Sequence, residues 1–109
     1  MIRTSYKLRY LPLFYEDLEK RISYIATELQ NHQAARELID EVEKAILKRQ
    51  VNAESFETYR SLRERRYPYY RIYVKSYVIF YVVIDDGSTD KIMEIQRFLY
   101  QGQNIDQLI

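Results

Sequence analysis

The stretch Tyr69–Asp85, YYRIYVKSYVIFYVVID, constrains the fold more than any other part of this 109-residue chain. It is dense in β-branched and aromatic residues, which favour extended backbone. A strand with one face on a core and one in water alternates apolar with polar. Here the even positions Ile72, Val74, Val78, Phe80, Val82 and Ile84 read as a core face. The odd positions include Tyr69, Arg71, Tyr73, Tyr77, Ile79, Tyr81 and Val83, a second face too apolar for water alone.

The elements around this stretch fix what can cover it. Tyr6–Leu11 (YKLRYL) alternates as a short first strand, and Pro12 suits the first turn of a helix. Phe14, Leu18, Ile22, Ile25 and Leu29 follow at helical spacing. After a tight NHQ connection with Asn31 as N-cap, a second helix is predicted from about Gln33 to about Lys48. Its inner stripe is Ala35, Leu38, Val42, Ala45 and Ile46, with Arg49 at its end. So short a turn makes the two helices an antiparallel hairpin. Val51–Tyr67 has no clean period and reads as loop with a short helical or turn segment. Three strands are predicted at Tyr69–Lys75, Tyr77–Asp85 and Lys91–Leu99, with Asp86-Gly87-Ser88-Thr89 supplying turn chemistry. In the tail, Ile105, Leu108 and Ile109 are candidate anchors.

The expected architecture is α+β: one domain over residues 1–109, with element order β-α-α-β-β-β and a helical hairpin on one face of a small, mainly antiparallel sheet. The even set of the long strand is expected to face the helices. The tyrosine-rich odd set would then face away with no helix to cover it, either as a partner surface or as cross-strand ladders with wet hydroxyls.

Composition removes several classes of chemistry. The chain has no Cys, so thiolate metal sites and disulfides are excluded, and its single His, His32, falls at the interhelix turn. Neither a Ser-His-Asp nor a Cys-His arrangement can be built from that inventory. Two glycines are too few for a phosphate-cradling loop. No cofactor and no metal are expected. The longest apolar run, Tyr77–Ile84, is too short for a membrane helix, and the basic N-terminus lacks the apolar stretch of a signal peptide, so a cytoplasmic protein without a membrane role is expected.

A net charge of +1 argues against a broad nucleic-acid grip. Locally, however, Arg60, Arg63, Arg65, Arg66, Arg71 and Lys75 stand against Glu64 alone. Arg65, Arg66, Arg71 and Arg97, with Tyr100 nearby in sequence, can bind phosphate or carboxylate groups, and a tyrosine beside an arginine can move a proton. An exposed arginine on a small sheet serves equally as a solvated edge or as an ion-pair partner.

The order of these pieces resembles the RelE/ParE superfamily of toxins from bacterial type II toxin–antitoxin systems. The resemblance runs through YKLRYLPLFYEDLEKRISYIA, the AARELIDEVEKAI helix, the YYRIYVKSYVIFYVVID hairpin and the closing IQRFLYQGQNIDQLI. It implies a cognate antitoxin whose C-terminal segment wraps the toxin, with Tyr73, Tyr77 and Tyr81 on the antitoxin-facing surface. Operator DNA would be bound only indirectly, through the antitoxin. ParE-like members poison DNA gyrase, whereas RelE-like members cut mRNA in the ribosomal A site. Arg71, Arg97 and Tyr100 match basic and C-terminal positions of the nucleases, with Tyr77 as a further proton carrier. Tyr73, however, replaces a second basic residue, and Val78 replaces an arginine that contacts the scissile phosphate, which removes charge and donors together. With NIDQLI at the end, the resemblance favours the ParE-like branch. Arg65, Arg66, Arg71, Arg97 and Tyr100 are then the expected effector surface, and no hydrolytic residue is required. The alternatives are a ribosome-dependent endoribonuclease and an inert antitoxin-binding module.

Overall fold

The computed structural model describes residues 6–60 and 65–109. Arg63 and Glu64 of the basic cluster, and the first residues of the chain, lie outside the described residues. Strand β1 (Tyr6–Tyr10) leads into helix α1 (Pro12–Ser23), a π-turn (Tyr24–Glu28) and helix α2 (His32–Gln50). Strands β2 (Tyr70–Val74), β3 (Tyr77–Ile84) and β4 (Lys91–Tyr100) come next, then a single helical turn α3 (Ile105–Leu108). The four-stranded sheet has the order β1-β4-β3-β2. β4 pairs parallel with β1 and antiparallel with β3, and β2 pairs antiparallel with β3. Both the α+β class and the predicted element order are therefore observed.

Local chemistry sets the helix ends. Pro12 opens α1, and the Asn31 side chain accepts from the Ala34 N–H at 3.0 Å to cap α2. Ala35, Leu38, Val42 and Ile46 form the buried stripe of α2, as the periodicity predicts. In α1 Phe14 is buried, and Leu18 and Ile22, with Ile25 of the π-turn, pack against the same core. Leu29 leaves that stripe and is exposed. The π-turn, closed by Leu29 N–H on the Tyr24 carbonyl, inserts an extra residue and turns Leu29 away from the core side.

The sheet reverses one expectation. β2 and β3 are joined by the two-residue loop Lys75-Ser76, with Val74 opposite Tyr77, and Lys75 supplies the positive φ (53°) that such a hairpin needs. Opposed residues share a face, so the inward set passes from even numbers on β2 to odd numbers on β3. Ile72 and Val74 do meet the helices, but on β3 it is Tyr77, Ile79, Tyr81 and Val83 that join them. Val78, Phe80 and Val82 face the other way, into a second core with Leu99 and Ile109. Reading Tyr69–Asp85 as one uninterrupted alternation misassigns both faces of β3.

The second sheet face is covered by the chain itself. Tyr59, Tyr67, Tyr69, Ile105 and Ile109 close over Val78, Phe80, Val82 and Leu99. Ile109 is the strongest anchor at 1 % exposure, whereas Leu108 remains largely exposed. Among the described residues, no helix is long and apolar enough to cross a membrane.

Candidate functional site

The predicted site residues do not converge on one place. Arg65 and Arg66 border a shallow groove with Tyr67, Val82, Glu94 and Gln96 on the face that the tail covers. Arg65 lies 4.4 Å from the centroid of Tyr69, and Arg66 lies 5.3 Å from that of Tyr67. Both guanidiniums are exposed and stand over aromatic rings, a geometry that keeps an arginine ordered while leaving donors available.

Arg71 stands on the same face of β2, 5.1 Å from the Tyr59 centroid and 5.9 Å from that of Tyr73. Its cross-strand partner Phe80 is in turn opposite Arg97 on β4. Arg71 and Arg97 therefore belong to one row, two strand spacings or about 10 Å apart, with Phe80 between them. Tyr59 donates to Asp106 of α3, and that bond together with burial raises its pKa.

Arg97 is committed within the fold. Its Nε and Nη2 donate to the two carboxylate oxygens of Asp17 at 2.7 and 3.0 Å, and Nη1 donates to the Leu108 carbonyl at 3.2 Å. Asp17 also accepts from the Phe98 N–H at 3.1 Å. One carboxylate from α1 thus satisfies both the arginine and a backbone donor of β4 beyond the end of β1. A ladder irregularity helps aim the side chain: Phe80 pairs with Arg97 but Tyr81 with Ile95, leaving Gln96 without a paired position.

Around this ion pair lies a cleft of about 420 Å³, lined by Lys20, Arg21, Tyr24, Tyr77 and Tyr100 as well as Arg97. Three of the predicted residues, Tyr77, Arg97 and Tyr100, meet here. Arg21 was not anticipated from sequence, because position 21 reads only as one of several charges beside the apolar stripe of α1. Tyr77 stacks on Phe98 at 4.8 Å and meets Tyr100 edge-on at 6.0 Å, which fixes the floor of the cleft.

Tyr73, Tyr77 and Tyr81 do not share one outward face. Tyr73 is exposed on edge strand β2, beside a groove formed with Ala45, Arg49, Val51, Phe56 and Ile72. Tyr77 lines the cleft. Tyr81 is a core residue at 0 % exposure, donating to the Ala53 carbonyl at 2.8 Å and accepting from Arg49 Nη1 at 3.0 Å. Burial raises its pKa, while the Arg49 contacts pull in the opposite direction. It is removed from any partner surface by the same face reversal that places it under the helices. Val78 is buried beneath the tail. His32 begins α2 as an exposed residue.

A comparison with curated proteins finds no match. The family described as ParE toxin of type II toxin-antitoxin system, parDE, matches residues 8–105, which take in part of β1, both long helices and all of β2, β3 and β4. With this fold and nearly the whole chain inside the match, the protein belongs to the ParE toxin family of type II toxin–antitoxin systems.

Proposed function

We propose that this toxin arrests growth in the cytoplasm by poisoning DNA gyrase through protein–protein contact, and that a cognate antitoxin neutralises it. The observation carrying this reading is the state of Arg97. A nuclease built on the C-terminal arginine needs that guanidinium free for a phosphate, whereas here both carboxylate oxygens of Asp17 already take it. Val78 in the core points the same way. Contact needs only accessible, ordered cations, and the exposed Arg65 and Arg66 with the half-buried Arg71 supply them, each set against a tyrosine ring. Tyr100, exposed at the rim of the cleft, extends that surface at the end of β4.

The antitoxin surface then centres on the open edge of β2. Tyr73, Val51 and Phe56 are all more than 40 % exposed there, at 59 %, 69 % and 44 %. Exposed apolar rings and side chains grouped on a sheet edge suit burial by a partner segment. Operator DNA is reached through the antitoxin.

The test is a supercoiling and cleavage assay with purified toxin, gyrase, ATP and plasmid. Protein-linked linear DNA should accumulate and disappear when antitoxin is added. Normal supercoiling beside a toxin that still arrests cells would overturn the gyrase reading and move the target to the ribosome.

A further inference from the structure

In the cleft at the end of α1, cations outnumber acids: Lys20, Arg21 and Arg97 stand against Asp17. Asp17 is already engaged by Arg97, so Lys20 and Arg21 bring unmatched positive charge. Among the described residues, no carboxylate forms an ion pair with either. Arg21 is held instead by three rings, 5.5 Å from the centroid of Tyr24, 5.6 Å from Tyr77 and 5.5 Å from Tyr100. Ring contacts orient a guanidinium without consuming its N–H donors, which stay available to an anion.

The aromatic wall also has a backbone device behind it. A Cβ at Gly102 would lie 2.7 Å from Tyr100 Cε1, so the missing side chain is what lets the Tyr100 ring occupy its place. The Tyr100 N–H donates to Gln103 Oε1 at 2.8 Å, and Gln101 Nε2 donates to the Lys75 carbonyl at 3.1 Å, which fixes the turn that presents the ring.

Two unmatched cations suit a phosphate monoester, with a charge of about −1.5 to −2 at neutral pH, better than a single carboxylate. Tyr100, 43 % exposed, offers aromatic surface to a planar base, since every nucleobase has a π-face for stacking. A volume of about 420 Å³ falls among those of small-ligand sites. We infer that this cleft binds a nucleoside monophosphate unit, with the phosphate on Arg21 and Lys20 and the base against Tyr100. The source is either a free nucleotide or the 5′-phosphorylated end of a strand.

Binding is read on the toxin alone, independently of any effect on gyrase. Adenosine monophosphate, adenosine and inorganic phosphate are titrated calorimetrically against the purified chain, beside a short oligonucleotide with and without a 5′-phosphate. The monophosphate should bind at least tenfold more tightly than adenosine or phosphate alone. Arg21→Gln and Lys20→Gln should each weaken it, the former at least tenfold, and Gly102→Ala should weaken it by displacing the ring. Arg66→Gln, on the other groove, should leave it unchanged. A phosphorylated oligonucleotide binding more tightly than the monophosphate assigns the site to strand ends, and equal or weaker binding assigns it to the free nucleotide. A monophosphate that binds no better than phosphate overturns the inference. So does wild-type affinity in a folded Arg21→Gln chain, or in Lys20→Gln and Gly102→Ala together if Arg21→Gln does not fold.

Discussion

Asp17 and Arg97 lie 80 positions apart in sequence and meet through two hydrogen bonds of 2.7 and 3.0 Å, with both side chains less than one-fifth exposed. The pair ties α1 to β4, and the Leu108 carbonyl on the same guanidinium ties in the tail. Removing one partner of a buried pair leaves the other charge uncompensated, at a cost of about 3–5 kcal/mol when fully buried. Residual solvent here places Arg97→Ala and Asp17→Ala nearer about 2–3 kcal/mol by the same reasoning. Urea unfolding monitored by circular dichroism measures this. Equal stability of Arg97→Ala and wild type would show that the pair does not hold the fold.

Tyr81 and Tyr73 should behave oppositely, although the same sequence pattern contains both. Tyr81→Phe deletes a hydroxyl that serves the Ala53 carbonyl and Arg49 Nη1 in the core, and leaving such groups unsatisfied costs about 1–3 kcal/mol. Antitoxin affinity should be untouched. Tyr73→Ala should leave stability within about 0.5 kcal/mol, as for most surface changes. It should weaken antitoxin binding at least tenfold, as a truncated aromatic anchor does. Parallel unfolding and antitoxin titrations separate the two, and reversed results would refute the face assignment.

This contrast marks where the sequence is legible. Periodicity places both long helices, and the stripe Ala35, Leu38, Val42 and Ile46 is buried as its spacing requires. Asn31, Pro12 and the Asp86-Gly87 turn act through local chemistry, so they too are readable. Period-2 alternation, by contrast, carries no phase across a hairpin. A two-residue loop between Val74 and Tyr77 exchanges odd for even, and only the register reveals it. The cleft is hidden for a different reason. Arg21, Tyr77 and Tyr100 come from three elements, and no local spacing joins them.

The tail should be a structural cover. Ile109 sits at 1 % exposure against the cluster of Val78, Phe80, Val82 and Leu99. Ile→Ala in a core costs about 2–5 kcal/mol. Ile109→Ala should lower the urea midpoint and raise binding of an apolar dye. An unchanged midpoint would mean that the second core stands without its plug.

Stability should fall in alkali, through a cluster joining β1, β4 and the turn after α2. Tyr6 donates to Glu54 Oε1 at 2.9 Å, and Lys91 Nζ donates to the same oxygen at 2.9 Å. Burial first, then the bond to Glu54, pushes the Tyr6 pKa from 10.0 up to about 12. Lys91 is raised above 10.5, chiefly by its bond to Glu54. For both groups the protonated form is favoured by folding. Their stabilisation is therefore complete below the ordinary values and lost as pH rises through the folded ones. For Tyr6 that window runs from about pH 10 to about pH 12. Urea midpoints measured across it should decline, and Tyr6→Phe, which cannot ionise, should show a shallower decline from a lower starting stability. A Tyr6→Phe profile parallel to wild type would assign the alkaline loss to Lys91 and the remaining raised tyrosines, Tyr10, Tyr59, Tyr70 and Tyr81.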